Sequence, residues 1–345
     1  MRALMISNPN STSQSNGVFR EIVPVLRAVE GMHLLVKYTH YSRHAEDIVR
    51  GLTVDDYDLI IAVGGDGTVN EIVNGLLGPA GGDTPSPHEL PALAVIPTGS
   101  ANVFVRALGF PSTPVEATHV LARSLEHDLR RTIYLGTWNE RWFAVNAGFG
   151  MDADVLARVD RAREQGFSAT PLRYLNVAIR AWLRARRNPP QITVYAESHS
   201  KHTLNKKDIP LLFTSNTNPW TFLGPLPVVT NPRNSFDEGL ALFGLEKLSG
   251  MRGVIGLLHL FGADKQGLLK RLVKEKTLGF DDARRVELEC RTPQRFQADG
   301  EFEGIFRNVT LTSVADAIEV YAPQEGRRVA QRSVQEVLRD FIRLR

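Results

Sequence analysis

A dense apolar run, Leu59-Ile60-Ile61-Ala62-Val63, stops at two glycines, and Val69, Ile72, Val73, Leu76 and Leu77 follow at helical spacing. Five apolar residues are too few for a helix and read as a buried strand. The intervening Gly64-Gly65-Asp66-Gly67-Thr68 and the Val69-Asn70-Glu71 after it therefore occupy a strand-to-helix turn. Such a turn presents backbone N–H groups at a helix N-terminus, with the positive end of the helix dipole behind them, and phosphates bind there. Glycines let the backbone approach a ligand with no Cβ in the way. Thr68 is placed to cap the helix or to touch a phosphate. Asp66 would repel bare phosphate, which points to a divalent metal or to a proton that has to move. The stretch has neither the G-x-x-x-x-G-K-[ST] pattern of a P-loop nor the G-x-G-x-x-G pattern of dinucleotide folds. On these residues alone, a tight βα turn with no ligand is the plainer alternative.

The flanking chain repeats the same rhythm. Ala3-Leu4-Met5-Ile6 reads as a strand ending in the polar turn Ser7-Asn8-Pro9-Asn10-Ser11. Val18, Phe19, Ile22, Val23 and Leu26 suggest a helix whose interior Pro24 would disturb. Leu34-Leu35-Val36 is a second strand ending at Tyr38-Thr39, and helix-like residues run from His44 to Leu52. After a loop at 78–91 rich in Gly, Pro and Ser, Ala92-Leu93-Ala94-Val95-Ile96 is the next buried strand. It enters Pro97-Thr98-Gly99-Ser100-Ala101-Asn102, a second phosphate-sized turn that opens a helix through Phe104, Val105 and Leu108. This alternation implies a parallel, doubly wound sheet, whose ligands bind at the carboxyl ends of the strands.

From about residue 130 the pattern changes to hairpins, first around Asn139-Glu140, and beyond Pro189 strands are expected at 191–196, 210–215, 240–245, 285–290 and 306–312. The expected division is residues 1–130 and 131–328, with an amphipathic helix at 329–345 packing back on the first domain. A length of 345 residues favours two domains, and 43% hydrophobic with 23% charged residues is ordinary for a globular chain. The net charge of +3 and pI of about 9.0 are too weakly basic to argue for nucleic acid. The one cysteine, Cys290, excludes an intrachain disulfide, suits a reducing compartment and reads as a core residue. No apolar run approaches the roughly 20 residues of a membrane span. A strand starting almost at Met1 leaves no room for a signal peptide, so a cytoplasmic protein is expected.

The string Gly64-Gly65-Asp66-Gly67-Thr68 with Asn70-Glu71 resembles the nucleotide-binding motif of the diacylglycerol kinase catalytic-domain family, the lipid kinases that include sphingosine and ceramide kinases. NAD kinases and phosphofructokinases carry related motifs. Asn8, Pro9 and Ser11 match the family's Asn-Pro-x-Ser-Gly-like element, although Gly17 arrives late. The turn at 97–102 matches Pro-x-Gly-Thr-x-Asn-Asp, with Ser100 keeping the hydroxyl and Val103 standing for the usual Asp. Asn146-Ala147-Gly148-Phe149-Gly150-Met151-Asp152-Ala153 resembles a glycine-rich family segment, and Asp299-Gly300-Glu301 matches the family's catalytic Asp-Gly-Glu.

The resemblance implies an α/β fold: an N-terminal doubly wound Rossmann-like domain of the NAD kinase and phosphofructokinase type, and a C-terminal β-sandwich-like domain, with the site in the cleft. It implies ATP, with Mg²⁺ offsetting its charge, held by Asn8, Pro9, Ser11, Thr39, Gly64, Gly65, Asp66, Gly67, Thr68, Asn70, Glu71, Thr98, Gly99, Ser100 and Asn102. It makes Glu301 the proton acceptor with Asp299 beside it, and sets Asp66 on the metal or the acceptor. A structural Mg²⁺ is implied at Ser235, Glu238 and Leu240, where Glu238 stands in place of the usual Asp. The expected activity is phosphoryl transfer to a lipid hydroxyl, diacylglycerol to phosphatidic acid first, with sphingoid bases or ceramide as alternatives. An NAD kinase and a non-catalytic nucleotide- or lipid-binding protein are the competing readings. Expected partners are a lipid at a membrane surface and no nucleic acid, with a homodimer also among the expectations. Peripheral contact with the inner face of the membrane is expected through the basic, apolar helix at 172–187, where Trp182 sits among arginines, and through the aromatic loop at 219–223. A helix packed on the protein's own core would show the same stripe as 172–187.

Overall fold

The computed structural model describes residues 1–9, 16–149, 191–223, 226–246 and 277–323. Ser11, residues 150–153 and the helices expected at 172–187 and 329–345 lie outside the described residues. The chain forms two compact units. One holds Met1–Ala144, Ser235–Glu238 and the segment beginning at Val314; the other holds Val145–Asn234 and Gly239–Ser313.

In the first unit the apolar runs become buried strands and the 3.6-period runs become helices between them. In chain order these are β1 (Arg2–Ser7), α1 (Asn16–Arg27), β2 (His33–Tyr38), α2 (His44–Val49), β3 (Leu59–Gly64), α3 (Asp66–Leu77), β4 (Ala92–Pro97), α4 (Val103–Ala107), α5 (Pro114–Glu126), β5 (Arg130–Trp138) and β6 (Arg141–Phe143). The parallel order is β2-β1-β3-β4, with Met5 beside both Val36 and Ile61, and Ile61 beside Ala94. Every residue of β3 and β4 is buried, as a sheet covered on both faces requires. Helix α1 continues through Pro24. The proline falls in its last turn, and the i−4 carbonyl that loses its donor belongs to the exposed Arg20.

The change of unit comes after Ala144 rather than near residue 130. Hairpin β5–β6 stays with the first unit because Trp142 is fastened to α3. Its backbone N–H donates to Asn74 Oδ1 (3.0 Å), its indole N–H donates to the Gly78 carbonyl (2.9 Å), and its own carbonyl accepts from Asn70 and Asn74 (3.0 and 3.1 Å). Arg141 adds a two-pronged ion pair to Glu46 of α2 (3.0 and 2.9 Å).

The second unit is β-rich: β7 (Asn146–Phe149), β8 (Ile192–Ser198), β9 (Thr203–Ile209), β10 (Leu211–Ser215), β11 (Thr221–Leu223), β12 (Leu226–Val228), β13 (Leu240–Leu245), β14 (Thr277–Ala298) and β15 (Glu301–Tyr321). Strands β13, β10 and β7 pair in series, and the long β14 closes a circuit: its start meets β13 (Gly279 beside Phe243) and its end meets β7 (Gln297 beside Gly148). Strands β14 and β15 form one hairpin whose tip is Asp299-Gly300. The last residues of β15 belong to the first unit, where Val320 pairs with Leu93 of β4.

Candidate active site

The strand order 2-1-3-4 reverses direction between β1 and β3, and open α/β sheets bind ligands at the carboxyl ends beside such a switch. The strand ends there are laced together: Thr39 N–H donates to the Ser7 carbonyl (2.9 Å), Asn8 N–H to Val63 (3.4 Å) and Thr98 N–H to Gly64 (3.0 Å). This brings the turn after β3 against the turn after β4. A Cβ on Gly99 would lie 2.5 Å from Gly65 Cα, so position 99 needs glycine for the two backbones to touch, while one on Gly65 would lie a tight 3.1 Å from Gly99 Cα. Asn102, left-handed at φ 50°, closes the second turn by donating to the Gly99 carbonyl (2.8 Å). Its Oδ1 is buried and has no partner. Ser100 is exposed beside this contact, Gly65 and Gly67 are partly exposed, and Thr98 is fully buried. Two Cβ-free turns at a helix N-terminus and an unsatisfied buried oxygen fit a nucleotide phosphate with its hydrated cation.

The motif's other side chains do different work. Both carboxylate oxygens of Asp66 accept backbone N–H groups at the start of α4, from Val103 (3.0 Å) and Phe104 (2.9 Å). The carboxylate thus caps α4. Burial pushes its pKa above the usual carboxylate range, against the pull of those two N–H groups. Glu71 does the same for the loop before α2, accepting from Arg43 (2.8 Å) and Ala45 (3.0 Å). Asn70 is buried and spends its amide on Trp142. Thr68 is buried against Gly64 and makes no side-chain cap. Arg106 of α4 is a cation that the sequence reading did not identify. It donates to the Ala101 carbonyl (3.3 Å), and burial lowers its pKa to about 10 while Asp66 opposes the shift. Its one signal in the sequence is the run Phe104-Val105-Arg106 after the second turn.

In the second unit, Asp299 (φ 50°) and Gly300 (φ 86°) form a two-residue hairpin loop with both residues left-handed, the turn that matches strand twist. Asp299 is buried, and its Oδ1 accepts from Val145 N–H (2.7 Å) and Asn146 N–H (3.1 Å). Its own N–H donates to the Asn146 carbonyl (2.8 Å). The fully buried Gln297 donates to Asn146 Oδ1 (2.9 Å) and accepts from Gly300 N–H (2.8 Å). The tip is thus tied to β7 from both sides, and the side chain after it, Glu301, is exposed.

In the turn at 235–238 the Ser235 carbonyl accepts from Glu238 N–H (3.4 Å), and Asp237 pairs with Arg131 (3.0 Å). Glu238 is partly buried, and Leu240 is buried at the start of β13. Carboxylate and carbonyl oxygens are the donors that Mg²⁺ takes, with water completing its shell. Among the described residues no three His, Cys, Asp or Glu side chains converge. The aromatics at 219–223, expected to be exposed, turn inward: Trp220 packs on Phe213 (ring centroids 4.4 Å apart) and Phe222 is buried. A run of Pro, Trp and Phe reads as a lip in sequence, but here it has a neighbouring strand to pack on. Cys290 is buried, and desolvation pushes its thiol up to about 12, which suits a core residue. Among the described residues no helix is long and apolar enough to cross a membrane.

Residues 2–132 match the family model described as the diacylglycerol kinase catalytic domain. A diacylglycerol kinase of Bacillus subtilis is 34% identical over 152 residues, 43% of this chain and 46% of that protein. Sphingosine kinase 1 of Arabidopsis thaliana is 31% identical over 172 residues, 48% of this chain and 34% of that protein. The chain thus spans less than half of the length of these relatives. A crystal structure of a diacylglycerol kinase from Bacillus anthracis superposes with a TM-score of 0.66 at 18% identity, covering 94% of this chain and 97% of that one. Residues 2–132 of this chain are thus similar to the diacylglycerol kinase catalytic domain, and the chain takes the fold of the diacylglycerol kinase structures.

Proposed function

We propose that this protein transfers the γ-phosphoryl group of ATP to a lipid hydroxyl, with diacylglycerol as acceptor and phosphatidic acid as product. The observation that carries this reading is the glycine-on-glycine contact of Gly65 and Gly99 at the carboxyl ends of β3 and β4, next to the β1/β3 switch point and inside the stretch that matches the catalytic domain. Backbone N–H groups of the α3 turn and the Ser100 hydroxyl hold the phosphates. Asp66 and Glu71 keep the surrounding loops in register. Arg106 carries positive charge beside the same turn. Oxygens of Ser235 and Glu238 would hold a structural Mg²⁺, and the Mg²⁺ that accompanies ATP would supply Lewis-acid neutralisation of phosphate charge.

Glu301 acts on the acceptor. Its carboxylate takes the hydroxyl proton as the lipid oxygen bonds to the γ-phosphorus and the bond to ADP breaks, leaving a phosphomonoester, ADP and a protonated Glu301. Asp299 and Gln297 hold the tip that carries it. The test is phosphoryl transfer from Mg-ATP to a panel of diacylglycerol, monoacylglycerol, sphingosine, ceramide and NAD, with wild type and Glu301→Gln. The expected result is phosphatidic acid from the wild type and a loss of about 10²-fold or more in the variant. Phosphorylation of NAD alone, or ATP binding without transfer to any acceptor, would overturn the reading.

A further inference from the structure

Beside Glu301 the β14–β15 hairpin carries a face that the proposed chemistry does not use. Among the described residues of the second unit, the large hydrophobic side chains left exposed are Tyr195, Phe302 and Ile305, with Phe302 48% and Ile305 64% exposed. Cross-strand register places Arg295 opposite Ile305 and Gln297 opposite Phe302. Arg295 and Ile305 are a directly opposed pair, and 305 and 307 share one face of β15 because side chains alternate along a strand, while a bulge between Phe296 and Gln297 interrupts the alternation toward the tip. Arg295, Ile305 and Arg307 therefore lie on the same side of the hairpin. Phe302, past the bulge, joins them by direct contact: the Arg295 guanidinium sits 4.1 Å from its ring centroid. Arg307 is exposed and only loosely paired with Glu289 (3.6 Å), a surface pair that water and salt readily weaken.

We propose that this face is where the protein meets a bilayer containing anionic phospholipid. Two apolar side chains flanked by two arginines are complementary to such a surface: the ring and the aliphatic chain enter the acyl boundary while the guanidiniums meet lipid phosphates. The position fits this occupant. Resting on the lipid-kinase reading, Glu301 must reach a hydroxyl that stays at the headgroup level. Phe302 is its neighbour, and Ile305 is about 13 Å along the same strand at strand spacing. Asp299 and Gln297 tie the tip that carries Glu301 and Phe302 to β7.

The test uses the full chain and vesicles of phosphatidylcholine with phosphatidylglycerol. A Phe302→Ser/Ile305→Ser double variant is expected to lose co-sedimentation by about tenfold or more, since each apolar side chain withdrawn from the interface weakens binding severalfold. Tyr195→Ser, exposed elsewhere, is expected to bind as the wild type does. Activity of the double variant on diacylglycerol in vesicles should fall in parallel, while activity on water-soluble dihexanoylglycerol stays at the wild-type level. Should the double variant fold poorly, Ile305→Trp provides a second readout: a blue-shifted emission quenched by brominated lipid. Unchanged sedimentation of the double variant, or a tryptophan at 305 that brominated lipid leaves unquenched, overturns the proposal. So does a change from dimer to monomer with vesicle binding intact, which would give the patch to a second copy of the chain. Vesicle binding lost in the variant, with no lipid phosphorylated by the wild type, supports the surface and overturns the kinase reading instead.

Discussion

The glycine turn of the first unit and the hairpin tip of the second are built around an acid that looks catalytic in sequence and is a fastener in space. Asp66 accepts two backbone N–H groups of α4, and Asp299 accepts two from the start of β7. What each leaves for a ligand differs. In the first unit the accessible chemistry is backbone: glycines at 65 and 99 and N–H groups at a helix end, suited to an anion that is held and not altered. In the second it is one exposed carboxylate, Glu301, suited to taking a proton. A motif letter thus reports that an acid is required, without saying whether it faces a substrate or the protein's own backbone.

The largest effect that bears on this contrast is expected at Asp299. Asp299→Ala leaves the N–H groups of Val145 and Asn146 buried without an acceptor, at a cost of about 2–4 kcal/mol. The melting temperature should fall by several degrees, and activity should drop with it although Glu301 is intact. If Asp299→Ala melts as the wild type does yet is inactive, Asp299 belongs with the chemistry and the parallel with Asp66 fails. Next is Gly99→Ala, whose Cβ would meet the Gly65 backbone at 2.5 Å. Separating the turns should cost about 1–3 kcal/mol and raise the KM for ATP more than it lowers kcat, read from thermal melts and initial rates. An unchanged KM would remove the phosphate cradle from the proposed function.

The elements that carry a strong period were legible before any coordinates. The strand at 240–245 and the βα alternation through residue 97 stand where the pattern put them. Other features were hidden for physical reasons. Strand β9, with its Lys206-Lys207-Asp208, is mostly exposed and has no apolar period to detect. The attachment of hairpin β5–β6 to the first unit was hidden because its β pattern is like the second unit's, while the contact runs through Trp142 and Asn74, 68 residues apart in sequence. The inward turn of Trp220 could not be read either, because composition does not say that Phe213 lies beneath it. In the site, the acids were legible and their hydrogen-bond partners were not. Asp66 and Glu71 stand out as acids in a glycine-rich string, and only their partners in space show that they cap other helices.

A smaller effect sharpens the point about Asp66. Asp66→Asn keeps one acceptor oxygen and sets an amide N–H₂ against one of the two α4 donors, a loss of about 1–2 kcal/mol. As a positioning residue it should raise the KM for ATP with a smaller change in kcat; a collapse of kcat at constant KM would make it catalytic after all.

The smallest effect sets Asp66 against Asp58, a fastener on the surface. Asp58 accepts from the Arg2 backbone N–H (2.6 Å) and pairs with its guanidinium (3.1 Å), and the backbone bond, the larger cause, holds its pKa below the usual range. A depressed pKa means that the folded chain releases this proton more readily than the unfolded chain. The stabilisation is therefore present above the unfolded pKa and is lost as pH falls through the folded one. Asp66 has the opposite sign. Burial raises its pKa, so the folded chain keeps the proton longer and stability falls as pH rises from the ordinary carboxylate range through the raised value. Melts of wild type, Asp58→Asn and Asp66→Asn across the acidic range should show the two variants departing from the wild-type slope in opposite directions. The Asp58 difference should be about 0.5 kcal/mol or less, since both partners are half exposed to water. Parallel slopes would mean that the two N–H groups of α4 outweigh burial at Asp66, and its carboxylate would then be as ready to meet a cation as one at the surface.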